Sequence, residues 1–442
     1  MTDVVVVGGG VAGLVAARDL AKAGAHVVLV EAGDRLGGML RRHTVAGLDL
    51  DMGAESFATR TDAVERLAIE LGLGNDIVSP DPRGAWLMTR DGRTAPIPQT
   101  GFLGIPGSPM AADVLAVIGQ GAAFRAQMDS LLPSPVGARA ESLGALVRKR
   151  MGERVLDDLV VPVAGGVYST HPDQLDPDRV APGLRAALQR EGSLARAVLA
   201  LRSRAAAGSA VQGIRGGIVR LVDELVADTV TYGVDVRLGT RATAVERYAV
   251  ETLAADGTRE RLPAQHVLAS TADPARTTAP DRTGIELVTL VVDQPELDAA
   301  PRGTGMLVHP EAAGVGAKAL THATAKWPWL AEAAGGRHVL RLSYATPPHD
   351  DVTDPSGAAT SLPVAPDDTV GTRATRDATA LLGVPVTADR VLGAARVRWY
   401  GPDLAAAGLT EGVVGIGETS SGRGLAGIVA AARAAAGRIL DS

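Results

Sequence analysis

The chain contains no cysteine among its 442 residues. This absence excludes disulfides, thiol nucleophiles, iron–sulfur clusters and cysteine zinc sites, so any redox chemistry has to be carried by a bound cofactor. Aromatic residues are scarce, at 3% of the chain, and its net charge is −6. Since the chain also lacks a basic run with which to grip a phosphate backbone, we expect no nucleic-acid partner.

Long apolar runs are missing as well. No stretch approaches the roughly 18 uncharged apolar residues of a membrane span, so we expect no transmembrane segment. The N-terminal residues lead straight into Val4–Val7 without a basic region or a small-residue cleavage site, which predicts no signal peptide. We therefore expect a cytoplasmic protein, with peripheral membrane contact left open.

What the chain does contain is an ordinary globular composition, with 46% hydrophobic and 21% charged residues. Its length allows about three structural units. The clearest segment is the first, where the pattern predicts a βαβ unit. It consists of a strand over Val4–Val7, a glycine turn, a helix over 11–23 and a strand over 26–30 that ends at Glu31.

The later patterns predict helices and sheets in blocks. Helices are predicted over 62–71 and 218–230, the second with Val230 on its apolar face. Residues 110–207 have helical periodicity, interrupted by a loop over 162–182. Short strands are predicted over 234–238, 244–250 and 266–270, with a hairpin turn at 256–257. A sheet follows over 283–345, and the chain closes with a strand over 412–417 and a helix over 424–440.

The glycine turn over 8–13 has the pattern G-x-G-x-x-G between a strand and a helix. Such a turn lets the backbone approach a pyrophosphate that sits at the helix N-terminus. Glu31 follows Gly8 by 23 residues, where a carboxylate accepts hydrogen bonds from an adenosine ribose and disfavours a 2′-phosphate. We predict a dinucleotide site, against the alternative that the glycines only tighten a turn.

The residues after Glu31 distinguish FAD from NAD. Residues 31–38 resemble the E-A-x-x-R-x-G-G signature of the flavin amine-oxidase superfamily, whose loop wraps FAD. Residues 415–418 resemble that superfamily's closing motif, which brings a second helix N-terminus near the flavin. The spacing G-x-G-x-x-G recurs over 422–427, in the closing segment that the resemblance assigns to the flavin. Because no further such motif is left for a nicotinamide cofactor, an oxidase is favoured over a reductase fed by NAD(P)H.

Within that superfamily the chain resembles the protoporphyrinogen and coproporphyrinogen oxidases of haem synthesis. Residues 51–57 resemble the family's G-P-[DE]-S-F segment, with Ala54 where proline is usual. Residues 104–106, 162–172, 213–221, 326–328 and 340–342 resemble further family segments, so the resemblance spans nearly the whole chain. The chain departs from the family at 170–171 and at 422–428.

We predict one FAD, held noncovalently, because the first βαβ unit and residues 35–38 suit an adenine dinucleotide and no cysteine is available to link the flavin through sulfur. A linkage through histidine or tyrosine stays open. The family's FAD contacts fall on Gly8, Gly10, Val11, Ala12, Gly13, Glu31, Ala32, Arg35, Gly38, Gly53, Ala54, Glu55, Ser56, Val245, Trp399, Gly417, Gly424 and Leu425. Two of these positions have a structural alternative. Val245 is otherwise a core strand residue, and Trp399 is otherwise a packing tryptophan.

The implied fold is mixed α/β (α+β), with a Rossmann-like FAD-binding domain of the p-hydroxybenzoate hydroxylase and amine-oxidase type. We assign residues 1–80, 208–275 and 385–442 to this discontinuous domain. Residues 81–109 and 276–384 are assigned to a mixed-sheet substrate domain, and residues 110–207 to a helical insertion.

The resemblance also implies the chemistry. A porphyrinogen loses hydride from its bridging carbons to the flavin, oxygen takes the electrons, and hydrogen peroxide is the by-product. The flavin itself carries out this step, so no catalytic side chain and no metal is predicted. Substrate propionates require cations, because guanidinium groups bind carboxylates. Arg60 is the first candidate, since the family places a basic residue there, and Lys326 and Arg341 are weaker ones; His171 and His322 are taken as structural.

Several functions remain open at this point. The favoured one is oxidation of coproporphyrinogen III, because the resemblance is closer to the enzymes of the coproporphyrin route, with protoporphyrinogen IX as the alternative substrate. The second is another flavin enzyme, an amine oxidase or a carotenoid desaturase. The third is a flavin-binding protein without turnover that contacts other haem-pathway enzymes, and transient contacts of this kind are also compatible with the first.

Overall fold

The computed structural model describes residues 2–59, 61–168, 170–204, 211–270, 284–346, 361–365, 368–400, 410–417 and 424–441. The N-terminal strands are β1 Val4–Val7, β2 Val27–Val30, β3 Arg42–Val45, β4 Leu48–Asp51, β5 Phe57–Ala58, β6 Ile77–Val78, β7 Trp86–Met88 and β8 Thr94–Pro96. The later strands are β9 Val211–Ile214, β10 Asp235–Arg237, β11 Thr240–Glu246, β12 Ala249–Ala254, β13 Arg259–Pro263, β14 His266–Ala269, β15 Gly284–Val292, β16 Gly305–Val308, β17 Ala319–His322, β18 His338–Thr346, β19 Ser361–Pro363, β20 Val391–Tyr400 and β21 Val414–Gly415.

The described residues also form α-helices. They are α1 Val11–Lys22, α2 Ala63–Glu70, α3 Ala112–Gln127, α4 Leu143–Met151, α5 Glu153–Val155, α6 Val161–Tyr168, α7 Pro177–Val180, α8 Leu184–Glu191, α9 Leu194–Arg204, α10 Arg220–Thr231, α11 Ala323–Lys326, α12 Pro328–Ala334, α13 Thr369–Leu382 and α14 Leu425–Leu440. A π-helical segment, Leu156–Val160, joins α5 to α6. Within these ranges no helix has both the length and the apolarity that crossing a bilayer requires.

The first of two layered units is built on a five-stranded parallel sheet, whose strand order is β10-β2-β1-β14-β21. Strands β1 and β2 consist entirely of buried Val and Leu, as expected when both faces of a parallel sheet are covered. Helices α1, α2, α10 and α14 pack on one face. The antiparallel sheet β11-β12-β13 packs on the other. This arrangement places the turn over 8–13 at the carboxyl end of β1, next to the end of β2.

The second layered unit is built on an eight-stranded mixed sheet, whose strand order is β19-β20-β15-β18-β17-β16-β7-β8. Its strands alternate between two faces. One face, with Val288, Leu290 and Leu340, packs against α13. The opposite face packs against α11, α12 and the hairpin β3–β4. Strand β20, from the stretch assigned to the nucleotide domain, lies in this sheet, and the three-part division of the chain stays a prediction.

The helical insertion consists of α3 to α9 around its own core. The prediction of a loop over 162–182 is wrong at its N-terminal end, because α6 continues the helical run as far as Tyr168. Pro162 lies inside this continuous run, just after the π-helical segment, where the regular i→i−4 hydrogen bonding is already interrupted and the missing N–H of proline is tolerated. Since Val161, Pro162 and Ala164 are buried, packing stabilises α6 despite its two glycines.

Two other expectations are corrected. The strand expected over 244–250 is a hairpin, because Glu246 pairs with Ala249 across a two-residue turn. That turn, Arg247-Tyr248, has none of the Asn and Gly signals by which such turns are recognised. Val230, expected on the apolar face of α10, is 74% exposed. A periodic pattern indicates a face but not how far its packing partner extends along the helix. The βαβ unit, the 256–257 turn and the closing helix are confirmed.

Candidate functional site

The glycine turn between β1 and α1 has the geometry of a phosphate-binding turn. Gly8 has φ of +98°, a conformation that favours glycine. A Cβ on Gly13 would lie 1.9 Å from the carbonyl oxygen of Gly8, so this glycine allows the helix to pack against the strand. A Cβ on Gly10 would have no neighbour closer than 3.8 Å. Space is therefore open at Gly10, where α1 begins with Val11 and Ala12.

Helix α1 begins at an N-cap that lacks a side chain, since Gly10 occupies it. The first N–H groups of a helix have no partner inside the helix and carry its positive end. A pyrophosphate placed over Gly10 would accept from these groups. The turn therefore fits the phosphates of a dinucleotide, as the sequence predicts.

Glu31, which directly follows β2, stabilises this turn through hydrogen bonds. Its Oε2 accepts a hydrogen bond from the Gly9 N–H at 2.7 Å, and its Oε1 accepts one from the Gly33 N–H at 2.7 Å. An ionised carboxylate has about four acceptor positions, so both oxygens keep capacity for ribose hydroxyls. The position predicted to bind ribose is thus occupied by a carboxylate of fixed orientation.

The loop after Glu31 folds back over the glycine turn. The Gly37 N–H donates to the Gly9 carbonyl at 2.8 Å, and a Cβ on Gly38 would lie 3.0 Å from the Gly10 Cα. Arg35 is exposed and Ala32 is half-buried. The two loops therefore form one continuous backbone surface, which matches the expected contact of both with the same cofactor.

We expect Glu31→Gln to weaken FAD binding by about 1–3 kcal/mol, the range of a charge-assisted hydrogen bond. The amide keeps the shape of the side chain but loses its charge and one of the two acceptors. Titration of apoprotein with FAD measures the effect. Asp34→Asn, at an exposed acid of the same loop, is the matched control and should leave the dissociation constant unchanged; equal affinities for the Glu31 variant and the wild type would remove Glu31 from the site.

A second part of the candidate site lies where the loop over 52–56 meets β20. The Trp399 ring lies against Gly53, where an added Cβ would be 3.2 Å from the Trp399 Cζ2. Trp399 packs with Met52, Val397 and Leu287 and is 7% exposed. Its indole Nε1–H has no hydrogen-bond partner among the described residues. A buried donor without a partner is costly, and a polar atom of a bound ligand that lies along the in-plane N–H direction would supply the acceptor.

Glu55 lies at the centre of an ion cluster in the same loop. The Lys326 Nζ donates to its Oε1 at 2.7 Å, and the Arg341 Nη1 donates to its Oε2 at 2.9 Å. Burial alone would raise the pKa of Glu55, but the two cations outweigh it and hold that pKa at about 2. The two residues predicted to bind substrate carboxylates are therefore brought together on a carboxylate of the protein itself.

The other predicted positions are distributed around these two parts. Val245 is half-buried in β11 and packs toward the core that includes Val28 and Val30 of β2. A Cβ on Gly417 would lie 2.0 Å from the Ser270 carbonyl oxygen, so this glycine closes β21 onto β14. Gly424, at φ of +105°, is the N-cap of α14, which begins at Leu425. Ala54 is exposed and Ser56 half-buried, while Arg60 lies outside the described residues.

Asp51 is a site residue that the sequence prediction did not include. Its Oδ2 accepts from the Ile218 N–H at 2.9 Å and its Oδ1 from the Val219 N–H at 3.0 Å. Burial is the largest influence and raises the pKa of Asp51 to about 6. The available signal was an acid at the end of the alternating strand β4, two residues before Gly53.

Two histidines noted in the sequence lie apart from these parts. His171 is half exposed, and its Nδ1 accepts from the Asp173 N–H at 3.2 Å. The His322 Nε2 lies 3.0 Å from the His338 Nδ1, on the sheet face opposite Arg341. Burial lowers the pKa of His322 to about 3, which leaves it uncharged. Within the described ranges no group of three or more acidic and histidine side chains could hold a metal ion.

Comparison with known proteins gives three relationships. The model of the flavin-containing amine oxidoreductase family matches residues 11–309. The chain is 26% identical over 376 residues to the coproporphyrinogen III oxidase of Staphylococcus aureus, covering 80% of this chain and 80% of that protein. It is 34% identical over 227 residues to the coproporphyrinogen III oxidase of Mycobacterium leprae, covering 50% of this chain and 49% of that relative. The chain thus spans about half the length of the mycobacterial relative.

A solved structure has the same overall fold. It is provisionally named a protoporphyrinogen oxidase, from Exiguobacterium sp. 255-15, and superposes with a TM-score of 0.77 and 23% sequence identity. The superposition covers 100% of this chain and 99% of the other. At this identity the likeness shows the fold, and it confirms the predicted mixed α/β class.

Proposed function

This chain belongs to the flavin-containing amine oxidoreductase family, and from that premise we propose that it oxidises a porphyrinogen to a porphyrin in haem synthesis. The family confirms the predicted cofactor, FAD, and the predicted class of FAD-dependent oxidoreductase. The observation that carries the proposal is the match to the coproporphyrinogen III oxidase of Staphylococcus aureus over four-fifths of both chains.

The candidate site suits this reaction. When bound, FAD supplies the two-electron oxidant that each loss of hydrogen from a bridging carbon requires. The turn over 8–13 would bind the pyrophosphate, and Glu31 would orient the ribose. Gly53 and Trp399 would form an apolar wall that excludes water from the reacting carbon. Such a site has to position and desolvate its substrate more than to supply a strong base.

We propose coproporphyrinogen III as the preferred substrate and molecular oxygen as the electron acceptor, with hydrogen peroxide as the by-product. The names of the Staphylococcus and Mycobacterium relatives support the substrate. The second G-x-G-x-x-G, over 422–427, belongs to the closing segment expected at the flavin, so no such motif is left for a nicotinamide cofactor, which supports oxygen as the acceptor. Comparing kcat/KM for coproporphyrinogen III and protoporphyrinogen IX under air tests the preference. A value at least tenfold higher for protoporphyrinogen IX, about 1.4 kcal/mol of transition-state preference, would reverse it.

We further propose that Arg60 binds a propionate of the substrate. Arg60→Ala should then raise KM for coproporphyrinogen III about tenfold or more, the effect of losing a charge-assisted hydrogen bond, while kcat and the flavin absorbance spectrum remain unchanged. Steady-state kinetics with FAD in excess measures both constants. Arg66→Ala, at an exposed arginine of α2 whose partner is Asp62, serves as the control, and a KM for the Arg60 variant equal to that control would dismiss the role.

A further inference from the structure

We infer that Lys326 and Arg341 are positioning residues that hold the loop over 52–56 against the flavin through Glu55, instead of binding substrate carboxylates. The inference rests on the proposed FAD site, since it takes that loop as a wall of the flavin pocket. It replaces the role that the sequence predicted for both cations.

The contacts of the two cations are the first argument. Each of them bonds a different oxygen of Glu55, at 2.7 and 2.9 Å. Arg341 also donates from its Nη2 to the Gly53 carbonyl at 2.6 Å and reaches the Met52 carbonyl at 3.5 Å. Both terminal nitrogens of Arg341 are thus committed to the loop, and only its Nε lacks a partner among the described residues.

The burial and charge of Glu55 are the second argument. The exposed fractions of the Glu55, Lys326 and Arg341 side chains are 15%, 17% and 9%. Because the pKa of Glu55 is held at about 2, its carboxylate is ionised at neutral pH. A substrate propionate would have to displace this carboxylate from both cations and leave it buried without a partner, which is strongly unfavourable.

The elements that contribute the cluster are the third argument. Arg341 lies in the middle of β18, between Thr289 of β15 and Thr321 of β17. Lys326 is the last residue of α11, which packs on the same face of the eight-stranded sheet. The cluster therefore fastens the far end of the loop to that sheet.

The near end of the loop is attached to the unit that contains the five-stranded parallel sheet. Asp51 accepts two backbone N–H groups at the start of α10, from Ile218 and Val219. Gly217, at φ of +101°, allows this approach, since a Cβ there would lie 2.9 Å from the Asp51 Oδ1. The loop thus bridges the parallel sheet unit and the eight-stranded sheet, and the Trp399 ring lies against it between the two anchors.

The test separates the two roles by measuring two constants. The FAD dissociation constant is measured by titrating apoprotein, and KM for coproporphyrinogen III is measured with FAD in saturating excess. Lys326→Gln, Arg341→Lys and Glu55→Gln should each raise the FAD dissociation constant about tenfold, because each removes a charge-assisted bond from the loop. KM should stay within about twofold of the wild type for all three.

Coupling to Glu55 gives a readout that a general loss of stability would not reproduce. In the Glu55→Gln background, adding Lys326→Gln should change the FAD dissociation constant less than about twofold, because the partner is already lost. Lys318→Gln, at a lysine beside β17 that does not pair with Glu55 in the structure, is the matched control and should leave both constants unchanged. Thermal unfolding of each apoprotein verifies that the variants are folded.

The opposite pattern would overturn the inference. If KM rises tenfold in Lys326→Gln or Arg341→Lys at saturating FAD, the two residues bind substrate. If the FAD dissociation constant stays within twofold of the wild type in both, or if the two changes on Lys326 and Glu55 are additive, the cluster does not act on the flavin. Failure of the proposed function is distinguishable, because the FAD titration uses no porphyrinogen.

Discussion

Replacing Gly13 by alanine is expected to lower the free energy of unfolding by about 3 kcal/mol or more, the upper range for overpacking of a core. The new Cβ would lie 1.9 Å from the carbonyl oxygen of Gly8 and 3.1 Å from its carbonyl carbon. Both are backbone atoms that cannot rotate away. Helix α1 would therefore have to separate from β1, and the flavin should be lost with that contact. Urea unfolding of the purified variant measures the effect.

Gly10→Ala provides the contrasting variant at the same turn. Its Cβ would meet no atom closer than 3.8 Å, and the residue has an ordinary φ of −72°. The free energy of unfolding should therefore change by less than about 1 kcal/mol, the scale of a cap substitution. FAD affinity should nevertheless fall by about 1–3 kcal/mol, because the methyl group would occupy space that the pyrophosphate requires.

Gly437→Ala in α14, where nothing lies within 4 Å of the added Cβ, is the control for both variants. It should leave FAD binding unchanged and stabilise the helix by up to about 1 kcal/mol. A Gly10→Ala protein that retains FAD as tightly as this control would show that the pyrophosphate does not lie over Gly10. A Gly13→Ala protein as stable as the control would contradict the packing of α1 on β1.

Arg150→Met is expected to lower the free energy of unfolding by about 3–5 kcal/mol, the cost of removing one partner of a buried ion pair. Arg150 has no exposed surface, and its Nε donates to the Asp129 Oδ1 at 2.5 Å. Its terminal nitrogens donate to the backbone carbonyls of Pro133 and Gly192 at 2.9 Å. Methionine fills similar space but removes the counter-ion of the buried Asp129 carboxylate and the donors to these carbonyls. The Asp129 Oδ2 keeps only its bonds from the Ser193 hydroxyl and the Ala195 N–H.

The effect of Arg150→Met is measured by urea unfolding of the FAD-loaded protein, followed by circular dichroism. Arg190→Met, at an arginine that pairs with Glu191 on the surface of the same helical insertion, is the matched control and should unfold at the wild-type midpoint. If the Arg150 and Arg190 variants unfold at the same urea concentration, Arg150 does not stabilise the insertion. The FAD dissociation constant should be unchanged in both, since neither α4, which contains Arg150, nor α8, which contains Arg190, contributes a predicted flavin contact.

The part of the site that follows from local sequence could be predicted. Glycine spacing in the turn over 8–13, the two apolar strands and Glu31 at the end of the second determine their own geometry within about thirty residues of chain. Helix α14 follows in the same way from the periodicity over 424–440. These features depend on backbone conformation and hydrophobic pattern, both of which are properties of a short segment.

The partners of the ion cluster could not be predicted in this way. Glu55 is 271 residues from Lys326 and 286 residues from Arg341 along the chain, and no local pattern connects them. The sequence prediction selected both cations because they lie in segments that resemble the family. It could not indicate that a carboxylate from the loop over 52–56 reaches them, because that depends on how β18 and α11 pack against the loop.

Asp51 illustrates a third kind of limit. Its position at the end of β4 is visible in the sequence, but its role depends on the start of α10 lying opposite. Only the fold brings the Ile218 and Val219 N–H groups to its carboxylate. An acid that would otherwise be taken as exposed is therefore an anchor of the loop.

The central claim is that this protein oxidises a porphyrinogen with FAD. The most direct measurement is the appearance of porphyrin fluorescence when the purified, FAD-loaded protein is mixed with coproporphyrinogen III under air, with an equal concentration of free FAD as the reference for spontaneous oxidation. We predict a rate proportional to protein concentration and well above that of free FAD. A yellow, folded protein that forms porphyrin from neither coproporphyrinogen III nor protoporphyrinogen IX faster than free FAD does would contradict the claim.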